Sequence, residues 1–476
     1  MSQLTVRQPG RLSFRCEKAM FGRIKKLYFV GIGGAGMSGI AEILKILGYH
    51  VKGSDIVPSE VTRHLETLGV EVVPEHLAAN VSDCDVVVIS SAVGENNPEV
   101  VEARRLGIPV IKRAEMLGEL MRLKFSIGIS GTHGKTTTTS MVARIFQTAQ
   151  LKPTIIVGGV VREMGTGATL GEGDYLITEV DEYDRSIEAM FPTIAVVLNI
   201  EQDHLDCYSD MDDLRSAFLA YMNRVPFFGS AIISADDPNI QMVKGEIARP
   251  YVTFGFSVDA DYRAVEVEEN EWGASFSVFC RGDLLGRVSI KVPGQHNVMN
   301  ALAAITIANE LEVPFEVATD SLNQFSGVER RFELLGEVNG VLVMDDYAHH
   351  PTEVRATLSA ASKLKRSRII TIYQPHLFSR TQVFAKQFAE ALSISDHVLL
   401  SDIYPAREEP IPGVTSQLIA DEAAKLGFDN FECVGTKDHA VSALMKVTKP
   451  GDLVIIMGAG SITHIQDELL EALKEQ

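Results

Sequence analysis

Short apolar runs bounded by glycine or polar residues alternate with stretches of helical periodicity along almost the whole chain. Residues 27–30 form such a run. It opens into Gly31-Ile32-Gly33-Gly34-Ala35-Gly36, and Met37, Ile40, Ala41, Leu44 and Leu47 then recur at helical spacing until Gly48. A run of this length between turn residues reads as a buried strand, and apolar residues at i, i+3 and i+4 read as the inward stripe of a helix. Residues 86–89 and 110–111 are further strands of this first series. A second series starts with a strand at 125–129 and a helix to about Ala149, then runs through strands at 154–157, 175–178, 194–198 and 231–234. A third holds strands at 341–344, 369–373, 398–401 and 453–457, the last followed by Gly458-Ala459-Gly460-Ser461 and a final helix. Such alternation predicts parallel sheets with crossover helices. Residues 262–268 and 274–280 instead alternate apolar and polar positions about Trp272-Gly273. They predict a small antiparallel appendage ahead of a helix over 297–311.

Length turns this pattern into a domain count. A chain of 476 residues exceeds one ordinary domain of about 100–200 residues. The expected fold is α/β in three domains. An extension covers 1–22, a Rossmann-like domain 23–122, a central P-loop ATPase domain with the antiparallel appendage 123–328, and a second Rossmann-like domain 329–476.

Charge and cysteine content narrow the partners. With 63 acidic against 44 basic residues the formal charge is −19, which argues against nucleic acid or an anionic membrane surface as partner while leaving room for a local basic phosphate pocket. Five cysteines (Cys16, Cys84, Cys207, Cys280, Cys433) form no C-x-x-C pair and read as small core residues of a reducing compartment. No apolar run reaches the roughly 18 residues of a membrane span. The first 20 residues hold Arg7, Arg11, Arg15 and Lys18 without an apolar core. They read as an extension rather than a secretory leader, and the expected location is cytoplasmic.

The candidate chemistry gathers where strands end. Gly31-x-Gly33-x-x-Gly36 follows a strand and opens a helix, the context in which backbone N–H groups hold a diphosphate. Asp55 lies at the distance where a dinucleotide fingerprint places a ribose ligand. A ligand-free glycine turn is the alternative, and the motif alone leaves NAD or another diphosphate open. Gly131-Thr132-His133-Gly134-Lys135-Thr136-Thr137 follows the next strand but has Ile129 where a strict Walker loop has its first glycine. It is the shorter G-x-x-G-K-T form, with Lys135 as the charge on the phosphates of ATP and Thr136 near magnesium. Glu179-Val180-Asp181-Glu182 and Asn199-Ile200-Glu201-Gln202-Asp203-His204 end two later strands. Ligands of open α/β sheets collect at the carboxyl ends of strands, so both clusters should face Lys135. Two loops of the third series, Asp345-Asp346-Tyr347-Ala348-His349-His350-Pro351 and Tyr373-Gln374-Pro375-His376-Leu377-Phe378-Ser379-Arg380, offer acids and cations at one sheet edge.

Taken together, Gly131-Thr-His-Gly-Lys-Thr-Thr, Glu179-x-Asp-Glu-Tyr, Asn199-x-x-x-Asp-His204, Gly294-Gln-His-Asn297-x-x-Asn300, Arg330-Arg331-Phe332-Glu333 and Asp346-Tyr-x-His-His-Pro resemble the Mur ligases, from about residue 24 to the C-terminus and in the same domain order. The stretch Arg113-Ala-Glu-Met-Leu-Gly-Glu-Leu-Met121 and Gln374-Pro-His-x-x-Ser-Arg-Thr point to the member that takes L-alanine rather than the one that recycles a tripeptide.

The resemblance implies an ATP- and Mg2+-dependent amide ligase acting on UDP-N-acetylmuramate in peptidoglycan precursor synthesis. The UDP-sugar would lie at Gly31, Gly33, Gly34, Ala35, Gly36, Asp55 and Ser91. ATP would be held by residues 131–137 together with Asn297, Asn300, Arg331 and Asp346. Lys135, Glu179 and His204 would be catalytic, with Thr136, Glu179 and His204 on the metal. His349, His376 and Arg380 would form the amino-acid site, Arg380 pairing with the alanine carboxylate. Two positions depart from the family pattern: Leu377, where an arginine is expected, and Arg407, where a small residue is usual. A nicotinamide-dependent oxidoreductase built on 31–36 and Asp55 leaves Lys135 without a role. A nucleotide-gated scaffold would hydrolyse no ATP in response to an amino acid.

Overall fold

The computed structural model describes residues 22–475 apart from 35, 91, 162–165, 204–206 and 407, and gives no side-chain placement for 158–161, 166 and 167. The chain divides into two compact units, the first ending at Arg113 and the second running from Ala114.

The first unit is built on a five-stranded, wholly parallel sheet: β1 (Lys26–Val30), β2 (His50–Ser54), β3 (Glu71–Val73), β4 (Val86–Ile89) and β5 (Val110–Lys112), in the order β3-β2-β1-β4-β5. Strand order reverses between β1 and β4, and the glycine loop leaves β1 at that switch, where such sheets form a crevice. Phe29 and Val30 are fully buried, as expected of strands covered by helices on both faces. One polar knot ties the layers. The buried carboxylate of Glu99 accepts hydrogen bonds from Tyr28 Oη (2.7 Å), Ser54 Oγ (2.6 Å) and Asn80 Nδ2 (2.7 Å), with His76 Nδ1 at 2.9 Å. A buried carboxylate is tolerated only when its lone pairs are satisfied in this way.

The second unit carries two sheets. The larger contains β6 (Phe125–Ser130), β7 (Thr154–Val161), β8 (Thr166–Thr169), β9 (Tyr175–Glu179), β10 (Ile194–Val197), β11 (Ser230–Ser234), β12 (Tyr251–Gly255), β13 (Tyr262–Asn270), β14 (Gly273–Cys280) and β15 (Asp283–Ile290). Their order is β15-β14-β13-β12-β11-β10-β6-β9-β7-β8. The antiparallel segment expected as an appendage is therefore an extension of the main sheet: β13 pairs in parallel with β12, and β13, β14 and β15 then continue as an antiparallel meander. Its inward residues (Tyr262, Ala264, Phe276, Val278) share one apolar core with Ile127 and Ile129 of β6 and Val298, Leu302 and Ile305 of the helix Gln295–Glu310. A fully buried valine or phenylalanine such as Val278 or Phe276 contributes about 1.5–3 kcal/mol, which makes the meander part of what holds this sheet's core together.

The last sheet holds β16 (Glu333–Val338), β17 (Val341–Asp346), β18 (Ile369–Tyr373), β19 (His397–Ser401), β20 (Phe431–Gly435) and β21 (Leu453–Met457), in the order β16-β17-β21-β18-β19-β20, with only β16 antiparallel. The helix Arg113–Met121 lies largely in the second unit. Gly118 explains this: a Cβ there would sit 2.2 Å from the Ala189 carbonyl oxygen, so only glycine lets the helix lie this close. The four described cysteines are free and half-buried rather than core residues, and Cys16 lies outside the described residues.

Candidate active site

In the second unit the phosphate loop leaves β6, and the two neighbours of β6 are β9 and β10. Both acidic clusters thus reach the loop from adjacent strand ends, as the alternation predicts. Two glycines shape the loop: Gly131 at φ +138° and Gly134 at φ +84°, conformations that a side chain disfavours. At Gly134 a Cβ would also come within 2.5 Å of Asn300 Oδ1. Lys135 begins the helix Lys135–Thr148 and turns its ammonium back over the loop, donating to the carbonyls of Gly131 (2.7 Å) and Thr132 (3.3 Å) and to Glu182 Oε2 (2.9 Å). Asp181 Oδ1 is 3.8 Å away. Burial disfavours the charged amine, but Glu182, Asp181 and Glu179 outweigh it and raise the pKa, so Lys135 is a cation throughout the physiological range.

Between the two sheets of this unit lies a cavity of about 420 Å³. Of the ATP residues read from sequence, His133, Gly134, Thr136, Thr137, Asn297, Asn300, Arg331 and Asp346 line it, alongside apolar Leu198, Phe254, Val292 and Met299. An apolar slot of this size beside an N–H-rich loop suits a flat base attached to phosphates. Gly131, Thr132 and Lys135 complete the loop behind it. Asn297 and Asn300 sit three residues apart on one helix; Asn297 Nδ2 donates to Pro293 O (2.7 Å), and Asn300 Nδ2 approaches Asn297 Oδ1 (3.3 Å). Asp346 reaches the cavity, yet its two oxygens already accept from the backbone N–H groups of Phe332 (2.7 Å) and Ala348 (2.8 Å). It therefore shapes the cavity wall as well as facing it.

The amino-acid residues form a second group. His349 and His376 have ring centroids 5.7 Å apart, and His376 stacks on Tyr404 at 5.7 Å. Burial drives the pKa of His349 down to about 3, so it is neutral and supplies no charge. Arg380 is the permanent cation of this group. Its guanidinium is buried against Asp203, with Nε at 3.2 Å and Nη2 at 2.5 Å from Oδ1, and lies 3.2 Å from His376 Nδ1. The expectation that Arg380 faces a substrate carboxylate thus meets a protein carboxylate at the same guanidinium. Leu377 stands at φ +68°, directly before the helix Phe378–Leu392, whose Ser379 is capped through backbone and hydroxyl by Glu408.

The glycine loop of the first unit is braced differently. Gly33 N–H donates to Asp55 Oδ2 (2.8 Å), so Asp55 supports the loop itself where the fingerprint assigns it to a ribose. Gly31 and Gly36 take φ +77° and +75°, and a Cβ on Gly36 would lie 2.9 Å from Arg113 Nη1. Sequence reasoning did not single out Arg113 as a site residue. Its signal is its position directly after β5, where strand ends bring ligand groups. The Gly458–Gly460 turn after β21 is filled by protein: Gly458 O accepts from Arg330 (2.6 Å) and Gln374 Oε1 accepts from Ile462 N–H (3.0 Å). Ala35, Ser91, His204 and Arg407 lie outside the described residues.

Among the described residues, Glu179, Asp181 and Glu182 bring carboxylates around the Lys135 ammonium, oxygen donors of the kind magnesium prefers. His133, Glu201 and His350 also bring one ligand atom each within 4.8 Å of one another. There, however, His133 is held protonated between Glu201 and Glu353, with its pKa raised to about 9 against the cost of burial. Its ion pairs with both carboxylates join the phosphate loop to the helix Pro351–Ala361.

Three α/β sheets in series, with a glycine loop on the first, a short phosphate loop on the second and a nucleotide-sized cavity between the second and third, define a nucleotide-binding α/β protein. The chain belongs to the Mur ligase family: residues 26–125 match the Mur ligase family catalytic domain, 129–308 the Mur ligase middle domain and 330–460 the Mur ligase glutamate ligase domain. It is 46% identical to the UDP-N-acetylmuramate–L-alanine ligase of Geobacter sp. (strain M21) over 96% of this chain and 99% of that protein. It is 48% identical to the ligase of the same name from Anaeromyxobacter sp. (strain Fw109-5), covering 95% and 98%. Among solved structures it resembles the UDP-N-acetylmuramate-alanine ligase of Thermotoga maritima, at a TM-score of 0.78 and 29% identity over 94% of this chain and 99% of that one. It also resembles a murein peptide ligase from Psychrobacter arcticus 273-4, at a TM-score of 0.70 and 26% identity over 95% and 99%.

Proposed function

We infer that this chain is an ATP-dependent amide ligase that joins L-alanine to the lactyl carboxylate of UDP-N-acetylmuramate in peptidoglycan precursor synthesis, releasing ADP and phosphate. The observation that carries this reading is 46–48% identity, over nearly the full length, to proteins named UDP-N-acetylmuramate–L-alanine ligase, with the Lys135–Glu182 contact in place at the phosphate loop.

The chemistry needs no protein nucleophile. A carboxylate oxygen attacks the γ-phosphorus of ATP, the bond to ADP breaks, and an acyl phosphate forms. The alanine amine then attacks the acyl carbon; the C–O bond breaks, phosphate leaves, and the amine loses its proton. The difficulty is bringing two anions together, so catalysis is charge neutralisation and in-line placement. Lys135 supplies a fixed cation at the loop. Asn297, Asn300 and Arg331 hold the nucleotide in the cavity, and the loop 31–36, braced by Asp55 toward the uridine end, holds the diphosphate of the sugar nucleotide. Thr136, Glu179 and His204 would hold Mg2+, which reduces repulsion between carboxylate and phosphate. His349, His376 and Arg380 receive alanine, whose carboxylate would compete with Asp203 for the guanidinium. Among the described residues no helix is long and apolar enough to cross a membrane, and the nucleotide substrates point to work in the cytoplasm.

The test is ADP release with ATP, UDP-N-acetylmuramate and a panel of L-alanine, glycine, L-serine and tripeptide. L-Alanine should support the fastest turnover, with glycine slower by roughly 10–200-fold, the range one methyl group commands. Chelation should stop turnover and Mg2+ restore it. Release that responds to tripeptide and not to L-alanine would overturn the assignment.

A further inference from the structure

The phosphate loop and the third sheet meet at one buried charged cluster that the reaction as written leaves without a task. His133, in the loop, has its backbone clamped by Asn199: His133 N–H donates to Asn199 Oδ1 (2.8 Å), and Asn199 Nδ2 donates to His133 O (3.0 Å). Its ring lies between two carboxylates, with Nδ1 3.1 Å from Glu353 Oε1 and Nε2 3.4 Å from Glu201 Oε2. Glu353 sits in the first turn of the helix Pro351–Ala361, on the far side of the cavity. Its other oxygen accepts from His349 N–H (3.0 Å) and closes the capping box of that helix with His350. Arg331 Nη1 stands 3.8 Å from Glu353 Oε1. A second strut runs parallel to the first, from Thr352 Oγ1 to Glu201 Oε2 (2.6 Å).

We infer that Glu353 is a positioning residue for ATP: by holding the His133 side chain from the third sheet's helix, it sets the shape of the phosphate loop and joins it to Arg331 and to the amino-acid group at His349. The inference rests on the ligase reading above and adds a residue to it. Glu353 reaches three functional groups at once, through His133, Arg331 and His349. It is suited to this because it is ionised: burial opposes the charge, but the hydrogen bond and charge of His133, with the Arg331 guanidinium, hold its pKa well below the carboxylate range.

The groups facing His133 are Glu353 and Glu201, the ring of His350 at 4.9 Å, and His296. Burial holds His296 neutral, with a pKa of about 4, and lowers the pKa of His350 as well. The two carboxylates are therefore what keep His133 charged. The link is complete below pH about 9 and is lost as pH rises through that value. Removing one carboxylate charge moves the loss to lower pH, by roughly 1–3 units.

The experiment is a steady-state ADP-release series from pH 6 to 9.5 on the full chain. Glu353→Gln keeps a carbonyl to cap the helix but removes the charge. It should raise the KM for ATP and lower kcat, together by about tenfold or more at pH 8, and recover part of that loss at pH 6.5; the KM for the sugar nucleotide should not move. Glu201→Gln leaves the capping box intact. It should shift the same limb in the same direction by less, and it serves if Glu353→Gln does not fold. Glu353→Asp should restore the wild-type pH dependence in part. A Glu353→Gln or Glu201→Gln enzyme with the wild-type pH profile and ATP KM would overturn the inference, as would a uniform loss at all pH values with ATP KM unchanged. A wild-type enzyme that releases no ADP with any amino acid would count against the proposed function instead.

Discussion

The two glycine loops of this chain follow the same strand–glycine–helix course and differ in what surrounds them. Each leaves a central parallel strand, turns through glycines of positive φ and opens a helix whose N-terminal residue lacks a side-chain cap. In the first, residues 31–36, one loop N–H is taken by Asp55 and the Arg113 guanidinium lies against Gly36. In the second, residues 131–137, the loop carries its own cation, three acids surround that cation, and His133 ties the loop to another sheet. The strand–glycine–helix device provides N–H groups aimed at an anion. What the anion is, and whether it is merely held or made to react, depends on the side chains that neighbouring strand ends deliver.

Substitutions sharpen this contrast. The largest effect belongs to Lys135→Ala: kcat should fall by about 10²–10³-fold or more, the scale of losing one transition-state charge contact, with the circular dichroism spectrum unchanged. A variant that keeps near-normal ADP release would break the distinction between the loops. Gly134→Ala comes next, because it meets both a left-handed φ and Asn300 at 2.5 Å. ATP affinity, read by calorimetry, should drop about 5–150-fold, the equivalent of a strain of about 1–3 kcal/mol, while sugar-nucleotide affinity holds. Arg113→Ala should show the reverse, raising the KM for the sugar nucleotide about 10–100-fold, as for a lost charge-assisted hydrogen bond, and leaving that for ATP alone. Asp55→Asn keeps an acceptor for Gly33 and should change the sugar-nucleotide KM by only about two- to fivefold. A larger effect there would return Asp55 to direct contact with the substrate.

Much of this protein is legible in its residue pattern. The apolar runs place the parallel strands because a strand buried on both faces must be continuously apolar. The glycine loops and the acids after β9 announce themselves by spacing; the asparagines of the helix Gln295–Glu310 are marked only by the family resemblance. A short strand such as β3, with no buried residue, carries no such pattern. Nor could alternation over 262–280 tell an appendage from an extension of the main sheet, since the β12–β13 pairing that decides it is a matter of register between segments.

The site divides in the same way. Lys135 lies in a loop whose chemistry is local, so its spacing alone points to phosphate, whereas Asn297, Asn300 and Arg331 enter only through the family resemblance. Glu353 reads in sequence as the third residue of a capped helix, and Arg113 as the first residue of another. Each owes its place at a nucleotide loop to chain folding across a long separation, 220 residues in the case of His133 and Glu353. Sequence by itself determined which residues can hold a phosphate. Only the tertiary structure decided which carboxylate meets which cation, because a charge acts over a few ångströms of space rather than along the chain.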